Sequence, residues 1–331
     1  LDVNAWFSKR TLNHKDFAAV ADLVQLKQES GLTISVCLPT KNSAEHLDQI
    51  IRTLKQNLII ENQLIDELII IDGASTDGTA EIARDNGIAV YQDSDGFSDL
   101  PPSSGKGEGL WKSVFHTEGD IIAWLDSDIA NIHPRFVYGT VGALLKDPSI
   151  GYVKAYYERP LADSDGIKPS GGGRVTELVA RPLINLYYPE LAGIIQPLSG
   201  EYAGRREVLE SVPFVSGYGV ETGLIIDIMR DFGVDAIAQV DMDTRIHQNQ
   251  NLDALGRMAF GVMQTFFNRL DRDEKIKVLE DYANKMHRII HTDGSYRIEA
   301  VNASVVERPA MNSRPEYKDK FAGRKAKWPS E

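Results

Sequence analysis

Ile121-Ile-Ala-Trp-Leu-Asp-Ser-Asp128 is an uncharged apolar run that ends in two carboxylates one residue apart. Five apolar residues without a charge read as a strand buried on both faces. Working back toward the N-terminus, the same pattern recurs. Ile34-Ser-Val-Cys-Leu38 is a buried strand closed by Pro39. Asn42 or Ser43 can cap a helix through about Leu58, with Leu47, Ile50, Ile51 and Leu54 on one face. Leu68–Ile71 is a second strand, Asp72–Thr79 a turn, Thr79–Asn86 a helix and Ile88–Tyr91 a third strand. A helix from Glu108 to about His116 then leads into the quoted run. Strand, loop and helix in this rhythm predict an α/β fold: a Rossmann-like, mainly parallel sheet with helices on both faces. Ligands then bind at the carboxyl ends of its strands, where Asp126 and Asp128 emerge.

Working forward, the rhythm loosens. Gly151–Tyr157 and Ala236–Val240 read as strands, and Val175–Tyr187, Val220–Asp231 and Leu252–Leu270 as helices. Asp163–Gly173 reads as a polar loop, and the stretch beyond Asn302 as a tail or an arm onto a partner subunit. The expected division is an N-terminal extension (1–30), a half carrying the regular strand–helix rhythm (31–130), a second half of the same domain (131–255), and a helical C-terminal segment with tail (256–331). The 331 residues are enough for one large domain or two sharing a core. Charge is the main excluder: 48 acidic against 36 basic residues, net −12, is repelled by nucleic acid and anionic membranes. No apolar run reaches the ~18–20 residues of a membrane helix, and residues 1–30 lack a signal-peptide core. With one cysteine, Cys37, the expectation is a cytoplasmic protein.

An Asp-x-Asp is cheap, and this chain has five. Only Asp126-Ser127-Asp128 directly follows a buried strand, so two readings stand there: a helix cap, or hard oxygen ligands for Mg²⁺ or Mn²⁺ on a diphosphate. Lys106 lies in Ser103-Ser-Gly-Lys-Gly-Glu-Gly109 just before a helix, suited to an anion, but the loop is not a Walker A motif. Gly171-Gly-Gly-Arg-Val-Thr176 is a second candidate anion cradle, with Arg174 as a planar fork and Thr176 as a hydroxyl. His247, a lone histidine, reads either as a surface or packing residue or as a ligand completing a metal site that already holds Asp128. Glu221 opens a helix, as a dipole partner or as a sugar-binding or acid/base carboxylate. Asp72 and Ser75 stand at the same sheet edge as Asp126.

Together these segments resemble a known family. A first strand ending Leu38-Pro-Thr-Lys-Asn42, a second ending Ile71-Asp-Gly-Ala-Ser-Thr-Asp-Gly-Thr79, a Gly-Lys-Gly loop and a strand-borne Asp-x-Asp are in the order found in GT-A glycosyltransferases. Gly171–Leu183, Gln196-Pro-Leu-Ser-Gly-Glu-Tyr202 and Gly217-Tyr-Gly-Val-Glu221 are similar to the glucosyl-3-phosphoglycerate synthases and their mannosyl-transferring relatives. The resemblance implies retaining hexosyl transfer from a nucleotide diphosphate sugar, UDP-glucose favoured over GDP-mannose, to the 2-hydroxyl of D-3-phosphoglycerate. It also implies a Mg²⁺ or Mn²⁺ cofactor and a homodimer.

By the same resemblance, Pro39, Thr40, Lys41, Asp72 and Ser75 hold the nucleoside, Asp126 with Ser127 lies at the ribose, and Lys106 binds the donor. Asp128 and His247 are the metal ligands. Gly173, Arg174, Val175, Thr176 and Asn249 bind the acceptor. The Leu198 main-chain carbonyl and Glu221 lie at the donor sugar. The chain departs from the family pattern at Asn42-Ser-Ala-Glu45, where relatives carry Asn-Glu, and in a shorter loop before Gly171. Two other classes compete. A sugar nucleotidyltransferase needs its Gly-rich, Arg-bearing loop after the first strand, where Pro39-Thr-Lys stands; a binding module needs no turnover.

Overall fold

The computed structural model describes residues 2–163, 166–168, 173–246, 251–292 and 294–328. Its strands are β1 Thr11–Asn13, β2 Ile34–Thr40, β3 Glu67–Asp72, β4 Ala89–Gln92, β5 Ile121–Trp124, β6 Tyr152–Glu158, β7 Leu161–Asp163, β8 Gly166–Lys168, β9 Tyr202–Arg205, β10 Phe214–Val215, β11 Ile237–Thr244, β12 Lys285–Thr292, β13 Ser295–Asn302 and β14 Glu307–Arg308. The α-helices are α1 Val3–Arg10, α2 Val20–Ser30, α3 Ala44–Leu54, α4 Thr79–Asp85, α5 Lys106–His116, α6 Arg135–Lys146, α7 Arg181–Tyr187, α8 Arg206–Leu209, α9 Val220–Phe232, α10 Leu252–Arg272 and α11 Pro315–Lys320.

Among the described residues, eight strands join in one sheet, ordered β1-β11-β6-β9-β5-β2-β3-β4. Every pairing is parallel except those of β9, which runs antiparallel to both β5 and β6. The apolar runs of β2, β3 and β5 are buried because helices cover both faces. One face packs against α2, α3 and α6, with Leu47, Ile50, Ile51 and Leu54 fully buried as their spacing requires. The other carries α5, α9 and α10. After β2 the chain moves outward to β3 and β4, then returns to place β5 on the other side of β2. This reversal opens a crevice at the carboxyl ends of β2 and β5.

The expected elements between Ile34 and Leu270 form, with ends shifted by a residue or two, except that the strand expected at Ala236–Val240 runs on to Thr244. The helix expected through Leu58 is α-helical to Leu54 and continues as wider π turns, Lys55–Ile60; the Val175–Tyr187 helix likewise opens with π turns at Thr176–Ala180. Within the loop expected at Asp163–Gly173, Gly166–Lys168 pairs back onto Leu161–Asp163. The C-terminal expectation needs the largest correction. Residues 256–331, read as helix plus tail, contain the β12–β13 hairpin after α10. The supposed tail packs on its own domain: β14 pairs antiparallel with β10, and Met311 and Tyr317 are buried. Residues 1–30, read as an extension, contribute β1 to the edge of the main sheet.

Candidate active site

At the carboxyl end of β5, Leu125 is still buried and the chain then turns outward, so Asp126, Ser127 and Asp128 enter a cavity of about 490 Å³. Lys106 opens α5 directly opposite. Its Nζ donates to Asp126 Oδ1 at 2.6 Å and lies 2.9 Å from Glu221 Oε1 at the start of α9. The glycines around Lys106 allow the approach: a Cβ on Gly107 would stand 1.8 Å from the Val215 carbonyl oxygen. Burial works to raise the Asp126 carboxyl, but Lys106 and Arg245 outweigh it and hold it at about 2. Burial likewise opposes the Lys106 ammonium, yet Asp126 and Glu221 push its pKa well above the ordinary lysine range.

The nucleoside side is built from β2 and β3. Pro39, Thr40 and Lys41 line the cavity, and Ser43 Oγ meets Ser127 Oγ at 2.7 Å. Asp72, at the end of β3, lies beneath: it accepts from Thr40 Oγ1 at 3.3 Å, Ser75 Oγ at 2.5 Å and Ser75 N at 3.1 Å. Asp72 and Ser75 thus brace the loops, with Ser75 Oγ also accepting from Asn42 N at 2.8 Å. On the far side, Gly173, Arg174, Val175, Thr176 and Leu198 line the same cavity, as does Glu221. The expected donor residues Pro39, Thr40, Lys41, Lys106, Asp126 and Ser127 and the acceptor residues Gly173–Thr176, apart in sequence, therefore share one space. His247 and Asn249 lie outside the described residues.

Sequence reasoning missed Arg245. This buried guanidinium donates to Asp128 Oδ1 at 2.6 Å and Asp126 Oδ2 at 3.2 Å, and its Nε lies 3.0 Å from Glu201 Oε1. Three carboxylates converge here, the Glu201 side chain fully buried, and need such a cation. The only sequence hint was its position two residues before His247. Through this ion pair, the chain that leads into His247 is held against Asp128. Arg159, Tyr218, Leu255 and Met258, also unread, complete the cavity wall.

The donor set suits a hard divalent cation: the Asp128 carboxylate is half exposed to the cavity, and the segment leading to an imidazole is tied to it. Among the described residues alone, no cluster of three or more His, Cys, Asp or Glu side chains forms a metal site. No described helix is long and apolar enough to cross a membrane.

A parallel sheet with an Asp-x-Asp at its binding edge, a lysine-bearing helix start and a facing Gly-Arg cradle define a GT-A glycosyltransferase. The comparisons agree. The model described as glycosyl transferase family 2 matches residues 35–212. The glucosyl-3-phosphoglycerate synthase of Petrotoga mobilis is 47% identical over 314 residues, covering 95% of this chain and 97% of that protein. The chain belongs to glycosyl transferase family 2 and, within it, to the glucosyl-3-phosphoglycerate synthases. Among solved structures, mannosyl-3-phosphoglycerate synthase from Rubrobacter xylanophilus superposes with a TM-score of 0.85 at 36% identity, covering 94% of this chain and 97% of that one. Glucosyl-3-phosphoglycerate synthase from Mycobacterium tuberculosis, in complex with Mn²⁺, UDP and glucosyl-3-phosphoglycerate, gives 0.79 at 38% identity, covering 92% and 99%.

Proposed function

We propose that this chain transfers the glucosyl group of UDP-glucose to the 2-hydroxyl of D-3-phosphoglycerate with retention, releasing UDP. The observation that carries the reading is the single cavity in which Lys106, Asp126 and Asp128 face the Gly173–Thr176 cradle. Pro39, Thr40 and Lys41, braced by Asp72 and Ser75, receive the nucleoside; Asp126 and Ser127 receive the ribose. Asp128 and His247 hold Mg²⁺ or Mn²⁺, which when bound neutralises charge on the diphosphate. Lys106 stabilises the same charge from the helix side as the bond from the anomeric carbon to the phosphate oxygen breaks. Gly173, Arg174, Val175, Thr176 and Asn249 fix the acceptor's phosphate and carboxylate, so its 2-hydroxyl is delivered in a set direction. The new bond forms from that oxygen to the anomeric carbon, and its proton passes to the departing phosphate oxygen. Glu221, held 2.9 Å from the Lys106 ammonium, orients sugar hydroxyls. The Leu198 carbonyl faces the same sugar.

The test is product formation from 3-phosphoglycerate and Mg²⁺ with UDP-glucose or GDP-mannose, each with and without chelator. The expected outcome is a phosphorylated glucoside from UDP-glucose alone, abolished by chelator. No product from either donor overturns the reaction, and a mannoside as main product overturns the donor.

We also infer a homodimer in the cytoplasm. The β12–β13 hairpin supports the dimer, because it leaves Ile289 and Ile298 about three-quarters exposed directly opposite one another. The buried, unpaired Cys37 supports a reducing compartment. Residues 31–130 serve the nucleotide sugar and 131–255 the acceptor, within one domain.

A further inference from the structure

Lys154 has no place in the mechanism above, yet it lies under the reacting centre. It stands on β6, a central strand with β9 and β11 as neighbours, and is 1% exposed. An ammonium buried there is costly, and an apolar residue of the same volume would pack without that cost. Its Nζ donates to the Ser199 carbonyl at 2.6 Å and sits 4.2 Å from the centre of the Tyr202 ring. The charged groups facing it come from every side: Glu221 on α9, Lys106 on α5, and Glu201 and Asp126 on the loops.

The Gln196–Glu201 loop is tied to β6 at several points. The Gln196 amide exchanges hydrogen bonds with the Tyr157 main chain, accepting at 3.4 Å and donating at 2.5 Å, and Ala155 N donates to Glu201 O at 2.9 Å. Between these anchors lies Leu198. Ser199 N donates to Gln196 O at 3.1 Å while Lys154 grips Ser199 O, so both main-chain groups of Ser199 are fixed. The Ser199 N–H belongs to the same rigid peptide as the Leu198 carbonyl, which therefore has its direction set. On the other side, Gly200 rests against Asp126, where a Cβ would come within 1.8 Å of Oδ2.

We propose that Lys154 is a positioning residue for glycosyl transfer, clamping the Ser199 carbonyl so that the Leu198 carbonyl is held toward the donor sugar. This rests on the functional reading above, in which that carbonyl faces the sugar. The experiment compares the parent chain with Lys154→Met, which keeps the volume, and Lys154→Gln, which keeps a donor. Steady-state kinetics are read per mole of UDP-binding sites, counted by calorimetry with Mn²⁺.

Lys154→Met lowers kcat by about 100-fold, the scale of a small misplacement at a reacting centre. Both KM values and the UDP Kd stay within about threefold, and Lys154→Gln recovers part of kcat. A kcat within about threefold of the parent in either folded variant overturns the proposal, as does a rise in KM at unchanged kcat. If Lys154→Met does not fold, Lys154→Gln decides by the same criteria, with its kcat expected below the parent's. A parent chain that transfers nothing overturns the functional reading itself. A parent that transfers beside a Met variant that keeps its kcat overturns the role of Lys154 alone.

Discussion

Charge in the cavity is balanced by cations from distant parts of the chain: Lys106 meets Asp126 and Glu221, and Arg245 meets Asp126, Asp128 and Glu201. Asp126 and Asp128 stand out because they end an apolar run, and Lys106 because glycines surround it. Arg245 and Lys154 carry no local mark, since their positions answer carboxylates that converge only after folding. Lys154 also makes a thermodynamic prediction. Burial pushes its ammonium down to about 7, although Glu221, Glu201 and Asp126 draw it upward. The unfolded chain keeps that proton to about pH 10. Between pH 7 and 10 unfolding therefore takes up a proton, and the Lys154 contribution to stability grows with pH. Below pH 7 the folded chain carries the charge and its full burial penalty. Lys154→Met removes that penalty, so the variant's Tm relative to the parent is higher at pH 6 than at pH 9. Thermal melts at the two pH values check this, and equal differences would show that the buried amine does not titrate in the fold.

At the scale of elements, β2, β3, β4, β5, β6 and β11 of the sheet and the helices α3, α4, α5, α9 and α10 followed from period and capping, while β1, β9, α2, α6 and the segment after α10 did not. The polar, proline-marked stretch after Asn302 looks like a solvated tail because its anchoring residues are widely spaced among charged ones. In the fold those charges are the anchors. Arg308 on β14 donates to Glu108 Oε2 at 2.6 Å and Oε1 at 3.1 Å and to the Pro101 carbonyl at 2.7 Å, with both side chains buried. Trp111 Nε1 donates to the Pro309 carbonyl at 2.8 Å, so the segment is stitched to α5, the helix that presents Lys106. Removing one member of a buried pair costs about 3–5 kcal/mol when the other is left unpaired; here Lys112 Nζ, 3.7 Å from Glu108 Oε1, still faces the carboxylate, which places the cost at the low end of that range. Arg308→Met is therefore expected to lose roughly that much stability in urea unfolding. The Glu108→Gln/Arg308→Met double variant should recover part of it. A loss under about 1 kcal/mol in the single variant would mean that the pair is solvated.

For the whole molecule, the parallel sheet was predictable because strands buried on both faces must be continuously apolar, whereas the hairpin was overlooked despite Asp293-Gly294 between two β-prone runs. That hairpin is an odd part of a single chain. An isolated pair of strands is marginal in water and needs a surface to lie on. One face has such a surface: Arg288 reaches Asp253 on α10 at 3.4 Å and Glu299 across the ladder at 2.7 Å. The other face pairs Ile289 with Ile298 and stacks His291 on Tyr296, ring centres 4.6 Å apart, with both isoleucines and Tyr296 about three-quarters exposed. Contiguous exposed apolar groups on a folded chain mark an interaction surface. Under the homodimer reading, a second copy covers this face across a two-fold axis, which also shields the hairpin edges. Light scattering after gel filtration should then give twice the chain mass for the parent. It should give a single chain mass for Ile289→Asp/Ile298→Asp, because paired carboxylates facing their own copies repel and cannot be desolvated there. Since Ile289 and Ile298 lie on the hairpin face opposite Arg288 and α10, the monomeric variant should keep the parent's KM for donor and acceptor. A parent that already runs as one chain, or a double variant that stays paired, removes this face from the assembly.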